Sequence, residues 1–137
     1  QVHLEVNSVK IHARGTDDPH INKDDYTQVA GPFTEGEFAL GVTHAPYTRI
    51  LDSFNSDSAD LVLAGHTHGG QICIPFYGAL VTNCDLPTSQ AKGLSTYGSS
   101  QMPIHVSAGV GTSPYTPIRL ACRPEATLLT LTSKAAK

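Results

Sequence analysis

The chain reads as an α/β protein with mixed β-sheets and few short helices, and three patterns carry that expectation. An alternating stretch opens the sequence, a strand–helix–strand unit occupies its middle, and short apolar runs broken by Gly, Pro, Asn and Ser fill its second half. Its 137 residues suffice for one domain with a core, and 39% hydrophobic against 15% charged residues is a globular balance. The formal charge of −3 offers no basic surface to gather phosphate backbone, so nucleic acid is not an expected partner. No run approaches the roughly 20 apolar residues that span a bilayer. The chain opens on Gln1 rather than Met, which leaves open a cytoplasmic location or membrane association through segments missing upstream.

In VHLEVNSVKIHAR, residues 2 to 14, apolar and polar residues alternate on both sides of Asn7-Ser8, which predicts a β-hairpin with a tight turn. GTDDPH breaks the pattern as a loop. A short helix is expected from Asn22 to Ala30, with Asn22 as cap, Asp24 and Asp25 in its first turn, and Gly31-Pro32 as its stop. EFALGVTHAP then places Phe38, Leu40 and Val42 at period two and ends in His44. Tyr47 to Phe54 put Ile50, Leu51 and Phe54 on one helical side, and DLVLAG, residues 60 to 65, is a short continuous apolar strand. Strand, helix and strand in that order predict a parallel βαβ unit. QICIP, GALV, PIHVSAG, PIRLACR and ATLLTLT predict further strands, mostly antiparallel, around an irregular loop from Thr82 to Gly93, with a frayed tail at Lys134 to Lys137.

Ligand sites of open α/β sheets lie at the carboxyl ends of their strands. His44 ends one strand of the βαβ unit, and His66 and His68 follow the other in GHTHGGQ. Imidazole is the commonest side-chain metal ligand, and extended backbone would turn residues at i and i+2 to the same side. Gly65, Gly69 and Gly70 bring no side chain to obstruct a cation or a phosphate, and they permit a sharp turn. Gln71 follows closely enough to hydrogen-bond a ligand histidine.

GHTHGGQ after a buried strand, preceded by THAP, resembles the calcineurin-like metallophosphoesterases, and more closely their bacterial phosphodiesterase branch. The likeness continues through VSAGVGTSPYTPIRLACRPEATLLTL, residues 106 to 131. It implies the C-terminal half of an αββα sandwich and a site for two divalent ions, manganese, iron or zinc. His44 and His66 are implied ligands of one ion and His68 of the other. The implied reaction is two-metal hydrolysis of a phosphate ester, hydroxide attacking phosphorus in line with the leaving oxygen. The family's acidic ligands and its leaving-group histidine come from an N-terminal half, in motifs D-x-H, G-D-x-x-D and G-N-H-[DE], none of which is expected in this chain. Gly15-Thr16-Asp17-Asp18 has the wrong spacing to replace them. The resemblance therefore implies residues 1–137 as the C-terminal part of a single domain, inactive alone and needing its missing N-terminal half as partner. The exposed sheet edge would favour self-association.

Other candidates have plainer readings. Asp17 and Asp18 suit a turn, though they could line the site, and nothing singles out His20. His3 and His12 lie on the polar faces of the hairpin, where solvent exposure is expected, while His105 reads as a core histidine. GVGTSP, residues 109 to 114, lacks the lysine and following helix of a nucleotide-binding loop. Arg119 and Arg123 are expected to pair with acidic side chains rather than with a substrate anion. Tyr77 and Tyr115 read as loop aromatics that cover the core. Cys73, Cys84 and Cys122 share no CxxC spacing, which argues against a zinc finger or thioredoxin-like site and favours buried free thiols, with a single disulfide and one leftover thiol as the open alternative. The rival readings are a metal- or phosphate-binding module without catalysis and an inert structural fragment.

Overall fold

The computed structural model describes residues 1–132; the tail expected at Lys134 to Lys137 lies outside them. Its strands are β1 (Val2–Val6), β2 (Val9–Gly15), β3 (Phe38–Thr43), β4 (Leu61–Ala64), β5 (Cys73–Ile74), β6 (Gly78–Ala79), β7 (Gly93–Tyr97) and β8 (Met102–Val106), with the α-helix α1 (Thr48–Ser56) between β3 and β4. Six strands form one sheet in the order β1-β2-β3-β4-β8-β7, and β5 and β6 form a small antiparallel ribbon. The expected α/β class with mixed sheets is the observed one. Among the described residues no helix is long and apolar enough to cross a membrane.

β1 and β2 pair as the predicted hairpin, Val6 opposite Val9. Asn7 and Ser8 both take positive φ, 50° and 66°, the tight turn whose twist suits flanking strands. β2, β3, β4 and β8 then run parallel, and β7 closes the far edge antiparallel to β8. The second half is thus less antiparallel than its pattern suggested, because β8 joins the central sheet beside β4.

α1 covers one face. Ile50, Leu51 and Phe54 are buried and pack with Val62, Met102, Ile104 and Val106. Gly41 makes the close approach possible, since a Cβ there would lie 2.9 Å from the Phe54 ring. The helix has no cap from its own N-terminal residue. Instead the Asp85 carboxylate, from the loop after β6, accepts from Thr48 N–H at 2.8 Å and from its hydroxyl at 2.6 Å. On the opposite face Leu61 and His105 are buried, but much of the rest is exposed. Register puts Val2, Leu4, Val6, Val9, Val42 and Leu94 on that face, each between 41% and 68% exposed.

Two expectations need correction. Residues 22–30 do not form an α-helix; two 3-10 turns, Pro19–Ile21 and Tyr26–Gln28, replace it. Asn22 takes the left-handed conformation that ends the first turn, and the Asp24 carboxylate is drawn to Arg49 at 2.8 Å. A polar knot shapes this crossover: buried Arg14 donates to the carbonyls of Gly31 and Pro32, and Asp57 accepts from Tyr26 Oη at 2.8 Å and Gly31 N–H at 2.9 Å. PIRLACR and ATLLTLT form no strands either, apart from one isolated bridge between Ile72 and Leu120. Pro117 and Pro124 remove ladder donors, and Leu128 is 92% exposed with no strand beside it.

His12 is 3% exposed, against expectation, because the crossover folds over the hairpin's polar face. His3 stacks on it, and Thr34 N–H donates to its Nδ1 at 3.1 Å. Burial, then the Arg14 charge and His3, hold its pKa below the ordinary 6.5. The folded chain therefore keeps His12 neutral where the unfolded chain begins to take up a proton. Its stabilising contribution is complete above about pH 6.5 and is lost as pH falls towards the lower folded value.

Urea unfolding should accordingly show lower stability at about pH 5.5 than at about pH 7.5, and His12→Asn should flatten part of that slope. Phe54→Ala should cost about 3–5 kcal/mol in the same assay, through the cavity left over Gly41 and Val62.

Candidate functional site

Parallel pairing of β2, β3 and β4 sends their carboxyl ends to one edge, and the loops that follow them build a histidine cluster there. His44 leaves β3. Its carbonyl accepts from Gly65 N–H at 2.9 Å, which ties the end of β3 to the GHTHGG loop after β4. His66 Nδ1 lies 3.1 Å from His44 Nε2, with the rings nearly perpendicular at 74°. The other His66 nitrogen, Nε2, is 3.0 Å from the Asn83 carbonyl. The Asn83 side-chain amide nitrogen also faces Nε2, at 3.3 Å; with Nε2 donating to the shorter carbonyl contact, Nδ1 presents its lone pair to His44. Burial keeps the His66 pKa below its usual value, while the Asn83 bond works against that shift.

The loop after β2 reaches the same edge. Asp18 Oδ2 is 4.0 Å from His44 Nε2, and its Oδ1 accepts from His20 N–H at 2.8 Å. The His20 ring sits 4.6 Å from that of His66, and its Nδ1 is 3.0 Å from Tyr47 Oη. Asp18 thus makes the turn and lines the cluster, and His20 proves to be a member. Asp18-Pro19-His20 carries a D-x-H spacing, a signal the sequence contained and the reading passed over.

His66 and His68 do not sit in extended backbone. Both take left-handed φ, 67° and 50°, so the i, i+2 argument for a shared side does not apply. They do border one cavity of about 280 Å³, together with Gln71, Asn83, Ser113 and Tyr115. Among the described residues the His68 side chain makes no hydrogen bond, while its carbonyl accepts from Arg119 at 3.0 Å.

The rest of the loop is fixed by packing. Gly69 and Gly70 take φ of 66° and 83°, and a Cβ on Gly70 would fall 2.3 Å from that of Ala79. Their lack of side chains is needed for the interior. Gly65 alone of the three has room before it, with the nearest atom to a Cβ at 3.7 Å. Gln71 reaches no histidine: its amide donates to the Thr116 carbonyl, and its oxygen accepts from Ser113 N–H at 2.7 Å. Both ends of that amide are committed to the 113–116 loop. Among the described residues Arg119 pairs with no carboxylate; its guanidinium donates to the carbonyls of His68, Ala108, Gly109 and Gly111, clamping the histidine loop to the glycine loop. His105 is buried as expected, its Nε2 without a hydrogen-bond partner among the described residues.

The chemistry of the donor set at this edge suits a divalent cation, with two imidazole nitrogens side by side and a carboxylate close behind. Another group, His3, His12 and Glu37, brings its ligand atoms within 4.8 Å of one another beside the start of β3. It suits a cation less well. Thr34 occupies His12 Nδ1, and the Arg14 guanidinium lies 3.2 Å from Nε2, where its charge opposes a cation.

The chain is 31% identical over 124 residues to the uncharacterized metallophosphoesterase YkuE of Bacillus subtilis, covering 90% of the chain and 41% of that protein. It is 30% identical over 122 residues to the uncharacterized protein YpbG of Bacillus subtilis, covering 87% and 45%. It is 39% identical over 97 residues to the phosphodiesterase YaeI of Escherichia coli, covering 65% and 34%. No family model and no solved structure matches the chain. The chain spans less than half the length of each of these three relatives. On these likenesses, and with the mixed α/β sheet that accompanies them, the chain belongs with the metallophosphoesterases.

Proposed function

We propose that the complete protein is a metal-dependent phosphodiester hydrolase and that this chain carries the histidine-rich part of its site. The approach of His66 Nδ1 to His44 Nε2, 3.1 Å, carries the reading. Nitrogen ligands held about 2.0–2.1 Å from one ion in tetrahedral array are neighbours at close to that spacing. The His66–Asn83 bond supports it further, because a ligand imidazole commonly donates its other N–H to a carbonyl, which fixes ring and tautomer. His44 and His66 are the proposed ligands of one ion and His68 of a second, with Asp18 adding negative charge at 4.0 Å from His44.

A pair of divalent ions, manganese, iron or zinc, would supply Lewis-acid stabilisation of the phosphoryl group and a more acidic water. The chain's own residues do the positioning. Asn83 and Gly65 hold His66 and His44 against each other, and Arg119 fixes the His68 backbone. Gly65 leaves space for a phosphoryl oxygen, and the cavity bordered by Tyr115 and Ser113 takes one arm of the ester.

Neutral imidazoles with one nearby carboxylate cannot balance two dications, so further acidic ligands are assigned to an N-terminal portion of the same domain. Its second sheet would pack on the exposed face of Val2, Leu4 and Val42. The chain alone should bind metal weakly and self-associate through that face or through the β1 edge; a monodisperse monomer in sedimentation velocity would count against the self-association.

Turnover of bis(p-nitrophenyl) phosphate tests the reading. A version of the protein extended upstream should hydrolyse it with manganese, iron or zinc, and His66→Ala should lower kcat by about 100-fold or more. Absence of turnover by the extended protein with all three metals would overturn the hydrolase. Efficient turnover by the 137-residue chain itself, abolished by His66→Ala, would overturn the division of the site.

A further inference from the structure

The GHTHGG loop also borders a cleft of about 530 Å³ at Gly69, and two of the chain's three free thiols, Cys73 and Cys122, open onto it. They are only 8% and 5% exposed. Both donate to one acceptor, the Gly69 carbonyl, at 3.4 Å and 3.3 Å, so the sulfurs lie no farther apart than those two contacts end to end. Cys122 also reaches the His68 carbonyl at 3.4 Å. Their backbones run side by side: Ile72 and Leu120 form a parallel bridge, and Cys73 N–H donates to the Leu120 carbonyl at 2.9 Å. The third thiol, Cys84, packs instead against the core under α1.

Small buried hydrophobes would explain two cysteines in a cluster with Ala79 and Ala91. They do not explain why both point at one oxygen beside a cleft, with the Arg119 guanidinium 3.7 Å from Cys122 Sγ.

We propose that Cys73 and Cys122 are a redox-active dithiol that closes to a disulfide under peroxide and thereby resets the loop carrying His66 and His68. The Cys122 sulfur attacks a peroxide oxygen, the O–O bond breaks, and the departing hydroxide takes the Cys122 thiol proton to leave as water. The Cys73 thiol then attacks the sulfenic sulfur, forming the S–S bond and releasing a second water. Two S–H bonds are lost, two electrons pass to the peroxide, and hydrogen peroxide leaves as two waters. The Gly69 carbonyl loses both thiol donors, and His68 loses the Cys122 contact to its own carbonyl. Gly69 is closely packed, since a Cβ added there would lie 2.9 Å from Cys122 Sγ and 3.0 Å from Ala108 Cβ. This inference does not depend on the proposed hydrolysis.

Alkylation of the unfolded protein after hydrogen peroxide treatment tests the bond. The number of reactive thiols should fall from three to one, dithiothreitol should restore it, and mass spectrometry should link Cys73 to Cys122. The linkage should persist in Cys84→Ser and vanish in Cys122→Ser. Three reactive thiols after peroxide, a link through Cys84, or oxidation that dithiothreitol cannot reverse would each overturn the dithiol, and wild-type protein alone decides this if a variant fails to fold. Histidine ring NMR tests the coupling: oxidation should move the His66 and His68 resonances and leave His3 in place. A disulfide that forms without moving them would overturn the link to the loop.

Discussion

The contact between Phe54 and Gly41 is the constraint on which the histidine edge rests. It holds α1 close against β3 and β4, and the absence of a side chain on Gly41 is what admits the ring. A one-residue slip of β3 would exchange its faces, bringing Leu40 or Val42 under the helix and Gly41 to the opposite side. His44 would then leave the strand on a different heading, away from His66. The parallel register of Leu40 with Leu61 and Val42 with Leu63 is therefore a condition for the cluster as well as for the core.

The part of this arrangement that obeys local rules could be read from the residues. The hairpin announced itself through alternation around Asn7-Ser8, and the βαβ unit through Ile50, Leu51 and Phe54 between two apolar strands. His44 and His66 followed, because strand ends of a parallel unit meet at one edge. Asp18 and His20 were harder to see. They reach the edge because β2 runs parallel to β3, yet the crossover between them contains no α-helix, the usual sign of such a connection. Arg14 and Asp57 hold that crossover, and they meet from 43 positions apart. No window along the chain contains the pairing.

The shape of GHTHGGQ departs from extended backbone for a related reason. Non-glycine residues at 66, 68 and 71 all adopt left-handed φ, each a conformation that side chains ordinarily avoid. Such backbone persists only where surrounding contacts over-determine it. Here Asn83 holds the His66 ring, Arg119 the His68 carbonyl, the two thiols the Gly69 carbonyl, and Gln71 the 113–116 loop. Apart from Cys73, four positions from Gly69, these partners lie between 17 and 53 positions away from the residues they restrain. Sequence spacing located the motif, whereas its shape is imposed from outside it.

That external support bears on what the loop can do. A loop restrained at His66, His68, Gly69 and Gln71 has lost most of its conformational entropy before any ligand arrives, so binding need not supply it. The same restraint makes the loop sensitive to its supports. Removing a hydrogen bond from a flexible surface turn would leave its average shape little changed. Removing the donors on Gly69 strikes a residue packed against Ala108 and Cys122, next to a proposed ligand. Rigidity that prepares the histidines for a cation is thus also the route by which two neighbouring sulfurs would be felt at His68.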